Sequence, residues 1–460
     1  MKYSPFALLC TVMMLAACGD PASPDTPGVN PPGPGTDPVV PVEPTVIDTS
    51  TDKYIQVRTD VPIKAFYKDV FMDGGVHLSA RTTLPVTDYL GLSLEYLITS
   101  DDDSSEDVAA QRKVISTSPD DINGRLLYPD GAPRYRLVYV NGGNAHTHGE
   151  SLEKKGRENF NKFVRNGGCY IGSCAGAYLA AKGSDTKEYD VYLGLWPSYA
   201  TNCHLSDTYT GLFVDPESPL LQYYDFGGDN YVADVYHNGG CYCADKDMVD
   251  GTVPLARYDY DKDPADHNNM HGKTSIWAYK DPKNPQYGCV IMCGSHPEAI
   301  KEGEKLDLMA AMVKYVLERP GMATIKGILH NGETRTMDKS AAVEDPEHAR
   351  IGDMQCHHYA IWIPEGAKNI KITLEPQESY NFKLMLSKDT FAFPEDAQHT
   401  FEGMSGAVTT ASFSTLTPGQ WYIAVQCTST VGTKTGTYGT DYTSTGILNG
   451  ASYKISASWD

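Results

Sequence analysis

The segment Gly172-Ser173-Cys174-Ala175-Gly176 places a cysteine between two glycines. A short apolar run, residues 169–171 (CYI), precedes it, and a helix-prone run, residues 177–181 (AYLAA), follows it. A strand, a tight turn and a helix in this order form the strained turn that presents a nucleophile, and small residues on either side supply the room that the turn needs. The pattern predicts Cys174 as a nucleophile at a helix start, where unpaired N–H groups favour the thiolate.

A histidine and a glutamate far downstream supply the other groups that such a cysteine needs. Residues 289–293 (CVIMC) form a strand-like apolar run, and His296 and Glu298 follow it. A cysteine nucleophile requires a base to take its proton and a third group to orient that base. We therefore expect Cys174, His296 and Glu298 to form a catalytic triad at the ends of strands.

The order Cys…His-x-Glu resembles the triad of class I glutamine amidotransferase-like domains. Residues 137–140 (LVYV) are typical of a buried strand, and they run into residues 141–144 (NGGN). In that superfamily the matching glycine loop gives one backbone N–H to the oxyanion hole, and the residue after the cysteine gives the other. The resemblance implies Gly143 and Ala175 as these two donors.

Within the superfamily, the chain is most similar to the amino-terminal domain of biotin-protein ligases. Residues 174–178 (CAGAY), 237–240 (HNGG) and 294–298 (GSHPE) resemble its signature segments. The biotin-ligase catalytic half has no counterpart here, so ligase activity is not implied. Amidotransferases usually carry glutamine where this chain has Tyr178, which weakens a glutaminase interpretation. Candidates to line the substrate pocket are Gly142, Asn144, Tyr178 and Asn238.

The amino terminus predicts where the protein works. Lys2 is followed by an apolar stretch, residues 6–17, that is too short to span a membrane as a mature helix. It ends in residues 15–18 (LAAC), which resemble the lipobox of bacterial lipoproteins. That resemblance implies a signal peptide at residues 1–17 and lipidation of Cys18, with a lipid-anchored protein of the cell envelope, at the outer membrane. A plain secretory signal is the alternative.

Composition limits the partners. Residues 18–50 are rich in proline and predict an extended tether, because they cannot bury enough apolar surface to fold. The formal net charge is -21, and the lysines and arginines are scattered. Nucleic acid and anionic lipid headgroups both need a basic face, so neither is an expected partner. The expected partners are a small amide or peptide substrate and the membrane, through the anchor; no cofactor is expected.

Two folded domains are predicted after the tether. Residues 51–320 alternate strand-like and helix-like segments, which predicts an α/β domain with a parallel sheet, flavodoxin-like and amidotransferase-like. We expect a strand over residues 62–67 and helices over residues 88–98, 150–165 and 304–317. Residues 321–460 alternate with period two, as in 370–374, 382–386 and 421–425, which predicts an all-β sandwich. We expect no strand from residues 330–460 in the parallel sheet.

The sandwich loosely resembles the pre-peptidase carboxy-terminal domains of secreted bacterial enzymes. A glycan-binding or a packing module is an equal alternative for this region. Cys356 and Cys427 are a plausible disulfide pair there, since export permits disulfides.

No metal site is predicted. Zinc is disfavoured because C-x-C spacing does not wrap a metal as C-x-x-C does, and a disulfide or free thiols are favoured instead. The residues weighed for zinc are Cys203, His204, His237, Cys241 and Cys243. Two further histidines, His146 and His148, follow the glycine loop and either touch substrate or belong to a surface loop.

Two functions fit this sequence. A cysteine hydrolase would cleave an amide or peptide bond through an acyl-enzyme, with water as the final acceptor. A non-catalytic envelope lipoprotein would use the same pocket, and the sandwich, to hold a ligand or glycan.

Overall fold

The computed structural model describes residues 52–74, 84–97, 112–260, 270–341 and 345–460. The predicted signal peptide, Cys18 and the tether lie outside the described residues. Within the described ranges, no helix is both long enough and apolar enough to cross a bilayer.

The chain before residue 320 forms both helices and strands, and strands are the more numerous. The helices are α1 Pro85–Leu90, α2 Ala145–Ser151, α3 Glu153–Arg165, α4 Ala175–Ala180 and α5 Glu304–Leu317. The strands are β1 Lys68–Asp73, β2 Leu94–Leu97, β3 Tyr135–Val140, β4 Cys169–Ser173, β5 Ala181–Ser184, β6 Lys187–Glu188, β7 Trp196–Asn202, β8 Thr208–Val214, β9 Tyr231–His237, β10 Cys241–Tyr242, β11 Thr252–Asp259, β12 Thr274–Tyr279 and β13 Val290–Cys293.

A large sheet contains most of these strands. Its order includes β2-β1-β3-β4-β13, in which every neighbouring pair is parallel, followed by β12, β11, β8 and β9, which are antiparallel. The four short strands β10-β7-β5-β6 form a separate sheet after the elbow helix. The sheet is therefore parallel where the predicted catalytic segments leave it.

The register of β3, β4 and β13 brings three loops to one level. Val140 lies opposite Gly172, and Ser173 lies opposite Cys293. The carboxyl ends of parallel strands meet at one edge of a sheet, where sites form in open α/β folds. The glycine loop, Cys174 and the segment that leads to His296 therefore begin side by side.

Helices pack on both faces of the sheet. One apolar cluster includes Leu308, Met312 and Val316 of α5, and a second includes Phe160 of α3 and Leu179 of α4. The predicted helix over 304–317 is confirmed at both ends. The predicted helix over 150–165 is divided at Leu152 into the end of α2 and the whole of α3.

Two expected elements are wrong in position or type. The strand expected over residues 62–67 begins later, as β1, and Pro62 forms only an isolated bridge with Met322. The helix expected over residues 88–98 stops at Leu90, because Gly91 takes a left-handed conformation with φ 66°. Residues 94–97 form β2 instead, whose side chains alternate between partly buried and buried.

Strands fill the region after residue 320. They are β14 Ile325–Ile328, β15 Thr334–Met337, β16 Cys356–Ile363, β17 Ile370–Pro376, β18 Phe382–Lys388, β19 His399–Gly403, β20 Thr409–Phe413, β21 Gly419–Cys427, β22 Gly432–Gly436, β23 Gly439–Thr443 and β24 Tyr453–Ser458. Two sheets, β14-β16-β21-β18-β19 and β15-β24-β17-β20, contribute side chains to one apolar cluster. The three period-two runs are confirmed as strands β17, β18 and β21.

The hairpin β22–β23 corrects the expectation that residues 330–460 stay out of the large sheet. It extends that sheet beyond β2, with Gly439 opposite Leu97. Gly439 has φ 131°, and a Cβ there would lie 2.1 Å from the carbonyl oxygen of Tyr96. A glycine therefore allows the close approach, and the hairpin covers what would otherwise be an open strand edge.

A buried ion pair joins the two regions. Arg134 donates from Nε and Nη2 to the two carboxylate oxygens of Asp353, at 2.9 and 2.7 Å, and both side chains are almost fully buried. The hydroxyl of Tyr442 on the hairpin contacts both Arg134 and Glu95. The second region therefore supplies partners for charges that the first region buries.

The predicted disulfide between Cys356 and Cys427 is not formed; both are free thiols. Cys356 lies opposite Gln426 across β16 and β21, so Cys427 is one residue out of register. Neighbouring residues of a strand point to opposite faces. Accordingly, Cys427 lies in the shared core, and Cys356 packs against a small cluster elsewhere.

We expect Asp353→Ala to lower the free energy of unfolding by about 3–5 kcal/mol, because it leaves Arg134 buried without its counter-charge. Glu402→Ala is the matched control: its carboxylate is largely exposed and pairs with Lys383 at 3.1 Å, so its loss should cost less than about 1 kcal/mol. Urea denaturation of both variants measures the difference. Equal costs would contradict a structural role for the buried pair.

Candidate active site

Cys174 has the strained backbone of a nucleophile elbow. Its φ is 48° and its ψ is -106°, directly before α4. A Cβ on Gly172 would lie 2.4 Å from the carbonyl carbon of Gly176, and a Cβ on Gly176 would lie 2.2 Å from the carbonyl oxygen of Val140. The expected need for small residues on both sides of the cysteine is confirmed by these distances.

The backbone of two neighbouring loops holds the Cys174 residue. Its N–H donates to the carbonyl oxygen of Cys293 at 2.8 Å, which ties the elbow to the end of β13. Its Sγ lies 3.4 Å from the carbonyl oxygen of Asn238. The side chain is buried, with 4% of its surface exposed.

His296 and Glu298 form a pair beside this cysteine. Nδ1 of His296 lies 2.9 Å from Oε1 of Glu298, whose side chain is buried. Burial of the ring opposes its charge, but hydrogen bonds to Cys174 and Glu298, with the charges of both groups, raise the pKa of His296 to about 10. The structure thus brings the three predicted triad residues together.

The sign of this shift has a consequence for stability. The pKa of His296 lies above the ordinary histidine value of about 6.5. The protonated ring therefore adds stability that is complete below that value and is lost as the pH rises through about 10.

Gly142 forms the surface against which the His296 ring rests. A Cβ at position 142 would lie 2.3 Å from Cε1 of that ring. The absence of a side chain at Gly142 therefore fixes how near the ring comes to the glycine loop. Gly142 is predicted to line the pocket; in the structure it makes this close contact instead.

A second histidine, His237, lies near His296 but differs from it in charge. Its Nδ1 is 3.2 Å from Oγ of Ser295 and 3.4 Å from the hydroxyl of Tyr258. Burial, together with the positive charge of His296, lowers the pKa of His237 to about 4. His237 is therefore a neutral, buried ring.

The two predicted oxyanion donors line the same cleft as Cys174. The cleft has a volume of about 350 Å³, and Gly143 and Ala175 lie in it. Ala175 is the first residue of α4, and the first N–H groups of a helix have no partner within the helix. Gly143 has φ 135°, a conformation that favours glycine.

Three further predicted pocket residues line the cleft: Asn144, Tyr178 and Asn238. The Asn144 side chain accepts from the N–H groups of His146 and Thr147 and so caps α2. The Tyr178 hydroxyl donates to the carbonyl oxygen of Gly240 at 3.0 Å. Asn144 and Tyr178 thus line the cleft and also stabilise its walls through these hydrogen bonds.

Tyr189, Tyr192 and Asn202 also line the cleft, although they are not among the predicted pocket residues. They belong to the segment of short strands after the elbow. Neither a hydrophobic period nor a motif marks these positions. The available signal is the spacing of tyrosines at positions 189, 192 and 199 in the segment after the elbow helix.

The two histidines after the glycine loop have different positions. His146 lines the cleft and lies 3.4 Å from Glu150, whereas His148 is buried and its carbonyl oxygen accepts from Arg112. In the described part of the chain, no three of the histidine, cysteine, aspartate and glutamate side chains form a group that could hold a metal ion. The cysteines weighed for zinc lie in different apolar clusters, Cys203 in one and Cys241 and Cys243 in the other.

Known proteins support the resemblance in part. Residues 132–192, which include the glycine loop and Cys174, match the family model described as "Biotin-protein ligase, N terminal". No curated protein matches this chain. The family match supports an amidotransferase-like fold for the region that holds the site.

Several solved structures are similar at low identity. A glutamine amidotransferase is 14% identical, with 54% of this chain and 97% of that chain covered and a TM-score of 0.32. A thua-like protein from Bacteroides uniformis is 14% identical, with 56% and 94% covered and a TM-score of 0.32. The pre-peptidase C-terminal domain of a collagenase from Bacillus anthracis is 14% identical, with 29% and 97% covered and a TM-score of 0.19. Since these scores are below 0.5, we base the functional proposal on the geometry of the site.

We expect Gly142→Ala to displace the His296 ring, because the added methyl group would overlap Cε1. The pKa of His296, measured by NMR titration of its ring proton, should then fall from about 10 toward the ordinary value. Gly303→Ala is the control: Gly303 has φ 74° and ψ -170°, a conformation almost exclusive to glycine, but open space around a Cβ, so it should cost about 1–3 kcal/mol of stability and leave the His296 titration unchanged. An unchanged titration in Gly142→Ala would refute the contact.

Proposed function

We propose that this protein is an exported cysteine hydrolase that cleaves an amide or peptide bond through Cys174, His296 and Glu298. The observation that carries the proposal is the strained Cys174 backbone beside a histidine that Glu298 orients at 2.9 Å. Strained residues of this kind cluster at active sites, where the surrounding structure holds them in place. A structural cysteine on a strand has no need of such a turn.

The proposed reaction has two halves, in which Cys174 is first acylated and the acyl-enzyme is then hydrolysed. The Cys174 thiolate attacks the carbonyl carbon, and the oxygen that becomes negative is held by the N–H groups of Gly143 and Ala175. His296 gives its proton to the leaving amine as the C–N bond breaks, which leaves an acyl-enzyme. Water then loses a proton to His296 and attacks the thioester carbonyl carbon, and the C–S bond breaks, which releases the acid and restores the thiolate–imidazolium pair.

Hydrolysis is favoured over transfer of ammonia because of Tyr178. Its side chain stands where amidotransferases usually have glutamine, and its hydroxyl is engaged with Gly240. An exported protein also has no evident supply of a phosphorylated acceptor. Water is therefore the acceptor we propose.

We propose a flavodoxin-like arrangement for residues 51–320 and a β-sandwich for residues 321–460. The parallel strands β2-β1-β3-β4-β13 with helices on both faces support the first. The apolar cluster that two sheets share supports the second. The hairpin β22–β23 crosses this division, so the two regions are expected to fold together.

We propose that the protein is lipid-anchored in the cell envelope, on the strength of residues 15–18 (LAAC). Expressed in a Gram-negative host, the wild type should incorporate labelled fatty acid and fractionate with membranes. Cys18→Ser should abolish the label, because the thiol that carries the lipid is gone. A variant that remains labelled would refute lipidation at Cys18.

We expect Cys174→Ala to remove amidase or peptidase turnover, by about 10⁴-fold or more. Glu298→Gln should cost less, because Glu298 orients and stabilises the base without touching substrate. A screen of peptide and amide substrates against the three proteins measures this. Iodoacetamide labelling at pH 6 gives an independent readout: Cys174 should react faster than the other thiols, and His296→Ala should slow that reaction.

The outcome that would contradict the hydrolase is a Cys174 thiol that is no more reactive than the buried Cys203 or Cys241. Ligand binding without turnover would then favour the envelope binding lipoprotein, the second function that the sequence allows.

A further inference from the structure

The cleft beside Cys174 is lined by polar side chains, while charged side chains such as Asp185 and Lys187 contact its lining residues from outside. Among the described residues that line it, none is an aspartate, glutamate, lysine or arginine. Apart from Cys174, His146 and the hydroxyl of Ser184, its polar side chains are amides and phenols, those of Asn144, Tyr178, Tyr189, Tyr192, Asn202 and Asn238. His146 is the other ring there, and it already pairs with Glu150.

The kinds of side chain that line the cleft determine which substrates it can bind. A charged group that leaves water needs a counter-charge or a set of hydrogen bonds, and without one its burial is costly. A free amino acid such as glutamine would bring an ammonium and a carboxylate close to the scissile amide. Within the part of the chain that the structure describes, no carboxylate, ammonium or guanidinium group lines the cleft to pair with either. The asparagine side chains, whose oxygens accept from backbone N–H groups, can donate from their amide nitrogens to the carbonyl oxygens of an uncharged peptide backbone.

Two aromatic side chains, Tyr236 and Tyr209, lie next to His296 on the protein surface. The Tyr236 ring lies 5.7 Å from the His296 ring and 5.6 Å from the Tyr209 ring, centroid to centroid. Tyr209 and Tyr236 are opposite each other across β8 and β9, so they share a face of the sheet. Tyr209 is 62% exposed, so its ring is accessible to a ligand.

The cleft and these two tyrosines are connected through Asn238. Its carbonyl oxygen is 3.4 Å from Cys174 Sγ, and its side-chain oxygen accepts from the N–H of Asp207. Asp207 in turn accepts from the Tyr236 hydroxyl at 3.2 Å. Asn238 therefore contacts Cys174 on one side and, through Asp207, is linked to Tyr236 on the other.

We propose that the substrate is a peptide whose residues on both sides of the scissile bond are uncharged, with an aromatic or large apolar residue against Tyr209 and Tyr236. This inference rests on the proposed cysteine hydrolase function and specifies its substrate class. The peptide lies in the cleft on the Cys174 side and over the two tyrosines on the His296 side. Acidic peptides are further disfavoured by Asp207 and by the net charge of -21.

A synthetic library of blocked random peptides, digested by the full chain and analysed by mass spectrometry, tests the proposal. Cleaved bonds should be depleted in aspartate, glutamate, lysine and arginine on both sides and enriched in aromatic residues on one side. Tyr209→Ala should reduce the preference for an aromatic over an alanine residue there, as a ratio of kcat/KM, by roughly two- to tenfold. Tyr438→Ala, which removes another exposed tyrosine from the hairpin at the opposite end of the sheet, is the control and should leave that ratio unchanged.

The results separate this inference from the function on which it rests. Cys174-dependent cleavage that tolerates charged residues beside the bond, or an aromatic preference that survives in Tyr209→Ala, would overturn the substrate class alone. Cys174-dependent cleavage of small amides with no cleavage of peptides would do the same. Absence of any Cys174-dependent cleavage, of peptides or of small amides, would overturn both.

Discussion

The register of three parallel strands is the constraint on which this site depends. Val140 of β3 lies opposite Gly172 of β4, and Ser173 of β4 lies opposite Cys293 of β13. The loops that follow the three strands therefore start within one residue of the same height of the sheet. A slip by one residue would turn every side chain of a strand to the other face. Cys174 would then point into an apolar cluster and lose its position beside His296.

The close packing of backbone at this edge explains the glycines. Gly172, Gly176 and Gly142 each stand where a Cβ would lie within 2.4 Å of a neighbouring atom. A cysteine at φ 48° costs of order 1–3 kcal/mol, and the structure tolerates it because the strands around it are fully buried. Glycine at these positions removes the steric part of the problem, and the core supplies the remaining stability. The backbone strain is thus confined to Cys174, while the packing of the whole sheet stabilises that conformation.

Local patterns in the sequence were enough to find the elbow, the three strands that end at the site and the helix over 304–317. Each of these has a continuous apolar run or a helical period of its own. Interactions between distant residues were not accessible in this way. Residues 94–97 contain leucines at a spacing that also suits a helix, and only pairing with β1 makes them a strand. The pair of Arg134 with Asp353, the hairpin on β2 and the register that separates Cys356 from Cys427 all depend on which strands become neighbours. Tyr236 was missed for the same reason, since its proximity to His296 follows from the path of the sheet.

Two histidines at this site show how environment, and not motif, sets the role of a side chain. His237 and His296 each stand in a segment that resembles a family signature, and each is largely buried. Burial alone lowers the pKa of a histidine, because it penalises the charged ring. This effect prevails at His237, whose neighbours are the uncharged hydroxyls of Ser295 and Tyr258. At His296 the carboxylate of Glu298 and the sulfur of Cys174 outweigh it and keep the proton on the ring. The charge on His296 then disfavours a second charge on His237, so the two states reinforce each other. A proton available for transfer consequently resides on the ring beside Cys174, which is where an acyl-transfer reaction would need it.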